Sequence, residues 1–284
     1  MGLHDLAERL GTLKVLDQVA GPATRAVKQV IGAGPVKNVL SGTPLGHPAH
    51  PLLTDIPIGS FTSAALLDLF GGPKAEAAAD LLVMAGLLSA LPTAAAGAAD
   101  WSDTYGGEQR IGVVHALANL VGLGFYSASL VARRRGHRSS GTALGLAGMA
   151  TMSIGGYLGG HLVYGQGIGV NHAFYQHPPD DWTPVLSDAE LGDGVATKAV
   201  ATGAPVLLYR SGGTICAISG RCTHAGGPLD EGKVDPSTMT VECPWHGSVF
   251  RLVDGQPVHG PASVPQADYE VRVNDGQIEV RGRR

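Results

Sequence analysis

The sequence predicts a two-domain chain, an N-terminal all-α transmembrane four-helix bundle followed by a C-terminal all-β antiparallel sandwich. Two contrasts carry this reading. Between Ile56 and Pro179 charged residues are confined mostly to short connecting segments, whereas from Asp180 onward they return to normal density. The pattern also changes, from long apolar runs to short strand-like runs broken by Gly- and Asp-containing turns. The expected boundaries are an amphipathic tail over 1–45, the bundle over 46–170, a linker over 171–181 and the β domain over 182–284.

Four apolar stretches define the bundle. The first, IPIGSFTSAALL between Asp55 and Asp68, is marginal in length. LLVMAGLLSALPTAAAGAA (81–99), IGVVHALANLVGLGFYSASLVA (111–132) and the run through LGLAGMATMSIGGYLGGHLVYG meet the requirement of about 20 mainly apolar residues for a spanning helix. Their wealth of Gly, Ala and Ser lets helix backbones approach closely, which is how helices associate in lipid. Short connections make neighbouring spans antiparallel. Threading then gathers His47, His50, Asp55, Asp100, His115 and His161 at one end of the bundle. Ionisable groups at membrane depth are costly and mark functional sites, and His is the side chain most used for haem and transition metals. A haem b between His115 and His161, another metal, or a quinone pocket is the functional expectation, against hydrated or carbonyl-bonded interfacial histidines as the plain alternative.

The tail 1–45 mixes charges with apolar residues at helical spacing, which predicts amphipathic helices on a membrane surface rather than a cleavable signal. A net charge of −4 gives no footprint for nucleic acid, and three cysteines make no disulfide framework. Both ends of a four-span bundle face one side. The basic RRRGHR loop votes to place that side outside, the basic tail votes for the cytoplasm, and cytosolic loading of an iron–sulfur domain tips the balance towards the cytoplasm.

In the β domain, APVLLYR, TICAIS, TMTVEC, YEVRVN and IEVRG read as strands, with SGG, NDG and VDGQP as hairpin signals. Into this pattern fall RCTHAGGPLDEG and ECPWHGSVF, which bring Cys222, His224, Cys243 and His246 as Cys-x-His, eighteen residues, then Cys-x-x-His. Ordinary zinc fingers put both Cys in one arm and both His in the other. Here each arm offers one of each, which suits a cluster with two thiolates on one iron and two imidazoles on the other.

CTHAGGPL and CPWHGSVF resemble the two cluster-binding loops of Rieske [2Fe–2S] proteins, and the likeness extends from about Trp182 to Arg281, including GPASVPQADYEVRV. The resemblance implies that Cys222 and Cys243 bind the buried iron, and His224 and His246 the outer iron through which electrons pass to a redox partner protein. Gly227 and Trp245 stand where Rieske proteins of cytochrome bc complexes carry a further cysteine pair. Ser248 keeps a hydrogen-bonding position towards the cluster, but Phe250 replaces a Tyr, so the midpoint is expected nearer about −150 mV than +300 mV. LGHPAHPLLTDIPIGSF resembles the opening of an uncharacterised family of four-helix membrane domains with a Gly-His-Pro-x-His-Pro signature, a match over roughly 46–164. Together these predict a membrane-anchored iron–sulfur electron carrier with a quinone or a protein as partner. The competing readings are a Rieske-type oxygenase with its metal site in the bundle, and a non-redox zinc module.

Overall fold

The computed structural model describes residues 2–32 and 34–283. The chain divides into two units. One comprises 1–31 and 49–168, and the other 32–48 and 169–284.

The first unit is helical. Helices α1 (Leu3–Thr12) and α2 (Asp17–Ile31) precede four long helices, α4 (Ala49–Phe70), α5 (Glu76–Trp101), α6 (Gly106–Arg134) and α7 (Arg138–Gly160); α3 (Pro35–Ser41) belongs to the second unit. The expected four helices are thus four long ones among seven in the described residues. Three helical stretches, Ala49–Phe70, Pro73–Trp101 and Gly106–Arg134, are long and apolar enough to cross a membrane. That corrects the expectation of four such stretches. With 23 residues α7 has the length, but its Gly, Ser and Thr residues dilute its hydropathy.

Packing in the bundle inverts the soluble pattern. Small residues such as Ala64, Ala79, Ala96 and Ala99 are buried, while Ile56, Leu88, Leu91 and Leu120 point outward. Glycines mark the close approaches: a Cβ on Gly86 would sit 2.5 Å from the Phe61 ring, and one on Gly148 2.9 Å from Tyr126. Phe61 and Tyr126 themselves stack at 3.7 Å. Backbones this close gain dispersion contacts that larger residues would forbid.

Where α4 and α6 end and α5 and α7 begin, Asp68, Asp80, Arg133 and Arg138 form one ion-pair network. Arg133 pairs with Asp68 and lies 2.9 Å from Asp80, and Arg138 lies 2.5 Å from both carboxylates. Side chains of Arg133 and Asp68 are almost wholly buried, and the Arg133 Nε–H donates to Ser129 at 3.0 Å. One charged knot from all four long helices fixes the antiparallel arrangement read from the short connections.

The second unit is an antiparallel β structure of three sheets, β1-β10-β9, β2-β3-β4 and β5-β6-β7-β8. Its strands are β1 (Thr183–Ser187), β2 (Ala196–Ala201), β3 (Ala204–Ser211), β4 (Thr214–Ser219), β5 (Lys233–Asp235), β6 (Thr240–Glu242), β7 (Val249–Arg251), β8 (Pro257–His259), β9 (Tyr269–Asn274) and β10 (Gln277–Gly282). The run APVLLYR is apolar throughout because β3 is central. Leu207 and Tyr209 enter one core with Ile218 and Phe250, while Val206 and Leu208 enter the other with Ile278 and Val280. Side chains alternate between faces, so a strand covered on both sides has no polar face. The NDG signal closes β9 onto β10: Asp275 and Gly276 both take positive φ (47° and 74°), the two-residue turn whose twist matches a hairpin.

Residues 35–43 dock on this β unit. Asn38 donates to the Val258 carbonyl and accepts from the Gly260 amide, each at 3.0 Å, and Thr43 donates to the Ala262 carbonyl at 3.1 Å.

Candidate metal centre

The four donors arrive on two loops of matching build. The first joins β4 to β5 and the second joins β6 to β7. In the first, the Cys222 amide donates to the Gly227 carbonyl at 2.8 Å, and the Cys222 carbonyl accepts from the Gly226 amide at 2.8 Å. In the second, the Cys243 amide donates to Ser248 O at 2.8 Å, and its carbonyl accepts from Gly247 N at 3.0 Å. Gly226 and Gly247, each four residues after its cysteine, both take positive φ (80° and 73°), which only glycine adopts without steric cost. Each loop thereby turns the backbone amides two and three residues past its cysteine onto the sulfur. Cys222 Sγ accepts from His224 and Ala225, and Cys243 Sγ from Trp245 and His246.

The two thiols touch. Cys222 and Cys243 are 1% and 2% exposed and share a hydrogen bond, which raises the Cys222 pKa and lowers that of Cys243 to about 6. The shared hydrogen bond, with Cys222 as donor, favours the charged form on Cys243. On the outer side the His224 and His246 rings lie 4.8 Å apart, edge to face. Burial, then the charges of His246, Lys37 and His172, push the His224 pKa down to about 3. Its imidazole is therefore neutral, the form that ligates metals.

Two features fit a bulky inorganic cluster bound by these groups. The His224 Nδ1 is buried with no hydrogen-bond partner, a costly arrangement that a metal bond relieves. Gly227 leaves the cradle open, since a Cβ there would lie 2.8 Å from Cys243 Sγ and 3.1 Å from the Trp245 ring. Gly227 and Trp245 do face each other across the two loops, where the bc-type proteins carry their cysteine pair.

A third segment backs both loops. The buried Thr223 hydroxyl donates to the Val264 carbonyl at 2.7 Å, and the Ala262 amide donates to Ser248 Oγ at 3.0 Å. Ser248 Oγ is thus used as an acceptor, which leaves its own proton to donate. Phe250 is fully buried in the core beneath. Cys216 lies in that core too, where burial pushes its thiol up.

Sequence reasoning missed the layer around the loops. Lys37 on α3 is buried and contributes charge at His224, Asn38 and Thr43 tie the segment down, and the His172 amide donates to Thr223 O at 3.0 Å. Nothing in the spacing of KNVLSGTPL announces that it belongs to a β unit whose first strand lies some 140 residues further on.

Of the histidines expected to gather in the bundle, His50 and His115 lie within electrostatic reach of each other, each bonded to a backbone carbonyl. His50 Nδ1 bonds the Thr93 carbonyl at 2.9 Å, and His115 Nδ1 bonds Gly155 O at 2.7 Å. His47 belongs to the β unit and bonds Pro48 O at 3.0 Å. Asp55 is exposed on α4, and Asp100 lies at the end of α5 beside Trp101. His161 is buried and faces Glu8 of α1. Among the described residues, the one group of three His, Cys, Asp or Glu donors within 4.8 Å of one another is His4, Glu8 and His161.

Fold and donor set together define an electron-carrying iron–sulfur domain of the ferredoxin type. Comparison with known proteins agrees: residues 181–270 match the Rieske [2Fe–2S] domain, and residues 46–172 match the family described as Predicted membrane protein (DUF2231). The chain is 33% identical over 102 residues to Ferredoxin CarAc of Metapseudomonas resinovorans, covering 36% of this chain and 94% of that protein. It is 31% identical over 100 residues to the anthranilate 1,2-dioxygenase ferredoxin subunit of Burkholderia cepacia, covering 35% and 91%. Among solved structures, the ferredoxin of carbazole 1,9a-dioxygenase from Nocardioides aromaticivorans IC177 aligns at 31% identity and TM-score 0.35, over 37% of this chain and all of that one. The chain belongs to the Rieske [2Fe–2S] family through its β unit, and its cofactor is a [2Fe–2S] cluster.

Proposed function

We propose that this chain is a membrane-anchored carrier of single electrons. Cys222 and Cys243 hold the inner iron, and His224 and His246 the outer one. The observation that carries the assignment is the pair of matched loops, which bring two bonded thiols and an orphaned imidazole nitrogen to one cradle. When bound, the cluster stores one electron. The protein holds the sulfurs buried under backbone amides, keeps the imidazoles at the outer side, and aims the Ser248 proton inward to stabilise the reduced state. With Phe250 supplying no hydroxyl, the midpoint lies toward the low end of the Rieske range, nearer about −150 mV than +300 mV.

The soluble partner is an oxygenase or related oxidoreductase, the class named for the relatives' complexes, and a quinone or haem at the bundle exchanges electrons on the membrane side. Four spans support this arrangement. Residues 32–48 and 169–284 form one unit, which favours an even number of crossings by the helices between them. With three strongly apolar helices, α7 supplies the fourth crossing. Two of the arginines that pull the α6–α7 loop towards the cytoplasm, Arg133 and Arg138, are committed to ion pairs in the bundle. That tilts the remaining positive charge towards a cytoplasmic β unit.

Anaerobically purified protein should contain two irons and two sulfides per chain, bleach on one-electron reduction and then give an EPR signal. Cys222→Ser or His246→Ala should abolish both. A colourless protein with stoichiometric zinc would refute the assignment. Membrane fractionation, with thiol labelling of single exposed cysteines in intact cells, reads the anchor and its side.

A further inference from the structure

The first unit carries a second donor cluster that the iron–sulfur site does not use. His4 and Glu8 stand four residues apart on α1, one above the other on the same face. The adjoining face of α1 is anchored: Ala7 is 1% exposed and packs with Ile111 and Leu158, with Leu10 and Leu162 against them. Gly11 permits the close approach, since a Cβ there would lie 3.4 Å from Gly107 Cα. This docking holds His4 and Glu8 against His161, which lies beyond the end of α7.

Three observations mark a ligand at this point. His161 is buried, with its side chain only 4% exposed, and its Nε2 has no hydrogen-bond partner although Glu8 Oε1 stands 3.0 Å away. A nitrogen and a carboxylate oxygen that close, out of line for a hydrogen bond, are spaced as two ligands of one ion: metal–ligand bonds of about 2.0–2.2 Å put neighbouring donors roughly 3 Å apart. All three donor atoms lie within 4.8 Å of one another, and the His4 and His161 rings meet at 5.3 Å. The chain around His161 is also specialised. His161–Gly165 is a π-helical turn, a form common at functional sites, in which the Gln166 amide bonds the His161 carbonyl at 3.1 Å. Gln166 Nε2 in turn donates to Glu8 Oε1 at 3.0 Å, orienting the carboxylate as outer partners of metal ligands do.

We propose that His4, Glu8 and His161 bind one divalent first-row transition metal, zinc or ferrous iron, clasping α1 to the end of α7. Two imidazoles and one carboxylate are the donor set of zinc sites with an open position and of mononuclear iron sites. The exposure of His4 and Glu8 gives the ion access from water.

The test uses the full-length, cluster-loaded protein in detergent without a polyhistidine tag, stripped with a mild chelator and titrated with zinc chloride. Wild type should take up one zinc beyond its two irons. His161→Ala should weaken that binding by about 100-fold or more, and so should the double variant His4→Ala/Glu8→Gln. The double variant changes only exposed side chains, and an unchanged cluster spectrum shows that it is folded. Uptake by wild type that persists undiminished in both variants would overturn the proposal, as would failure of wild type to bind zinc at 100-fold excess over protein.

Discussion

Replacing Gly227 by alanine should damage the cluster loops without touching a ligand. The added Cβ would stand 2.8 Å from Cys243 Sγ and 3.1 Å from the Trp245 ring, against an ordinary carbon–sulfur contact of about 3.7 Å. Something must move by nearly an ångström. The Trp245 side can give, because Trp245 is 55% exposed. The sulfur side cannot give easily. Cys243 is buried, bonded to Cys222 and pinned by its backbone to Ser248 and Gly247, and Gly227 itself holds the Cys222 amide. Overpacking of this kind costs about 1–3 kcal/mol. The expected outcome is a lower denaturation midpoint, with visible absorbance per chain reduced because the displaced sulfur assembles the cluster poorly. Gly213→Ala is the matched control, since nothing lies within 4 Å of the position its Cβ would take. Wild-type cluster content and midpoint in Gly227→Ala would refute the view that this glycine opens the cradle.

Ser248→Ala should lower the midpoint potential by about 60 mV, the equivalent of one hydrogen bond of about 1.4 kcal/mol in a one-electron couple. Protein-film voltammetry reads it, and an unchanged potential would show that the hydroxyl proton points elsewhere. Asp68→Asn should destabilise the bundle by about 3 kcal/mol, because Arg133 loses its principal partner while remaining buried; thermal unfolding in detergent measures the loss. Burial pushes the Tyr269 phenol up to about 12, above its unfolded value of about 10. Between these values the unfolded chain has released a proton that the folded one keeps, so stability falls as pH rises from 10 to 12. Tyr269→Phe should flatten that fall. It should cost little at pH 7, since the buried hydroxyl has no hydrogen-bond partner.

The parts of the fold legible in the sequence were those set by local pattern. Asp275–Gly276 announced its hairpin, the apolar run of β3 announced a strand, and one Cys and one His per loop announced the cluster. The helices α4, α5 and α6 were legible because length and apolarity are local properties, while the Gly-rich α7 was read as a span although its hydropathy falls short. What stayed hidden depends on contacts between distant residues. Amphipathic spacing predicted an apolar face on α1 but not what that face meets; burial of Ala7 against Ile111 and Leu158 sets it beside α6 and α7, and only that docking brings His4 and Glu8 to His161. Asn38 likewise reads as an ordinary helix residue until the Val258 and Gly260 backbone groups, some 220 positions later, are set beside it.

That long-range seam between Asn38 and the strand around Val258 has a consequence for biogenesis. In chain order the four long helices are an insertion within the β unit, whose first piece leaves the ribosome before any of them and whose last piece follows them all. The early piece must wait unpaired until the four long helices have been synthesised, so closure of the electron-carrying unit is a late event. A soluble fragment cut at the linker to begin at Trp182 would lack the Asn38 and Thr43 bonds that bind this early piece. Co-expressing residues 32–48 as a separate peptide is the natural way to restore them.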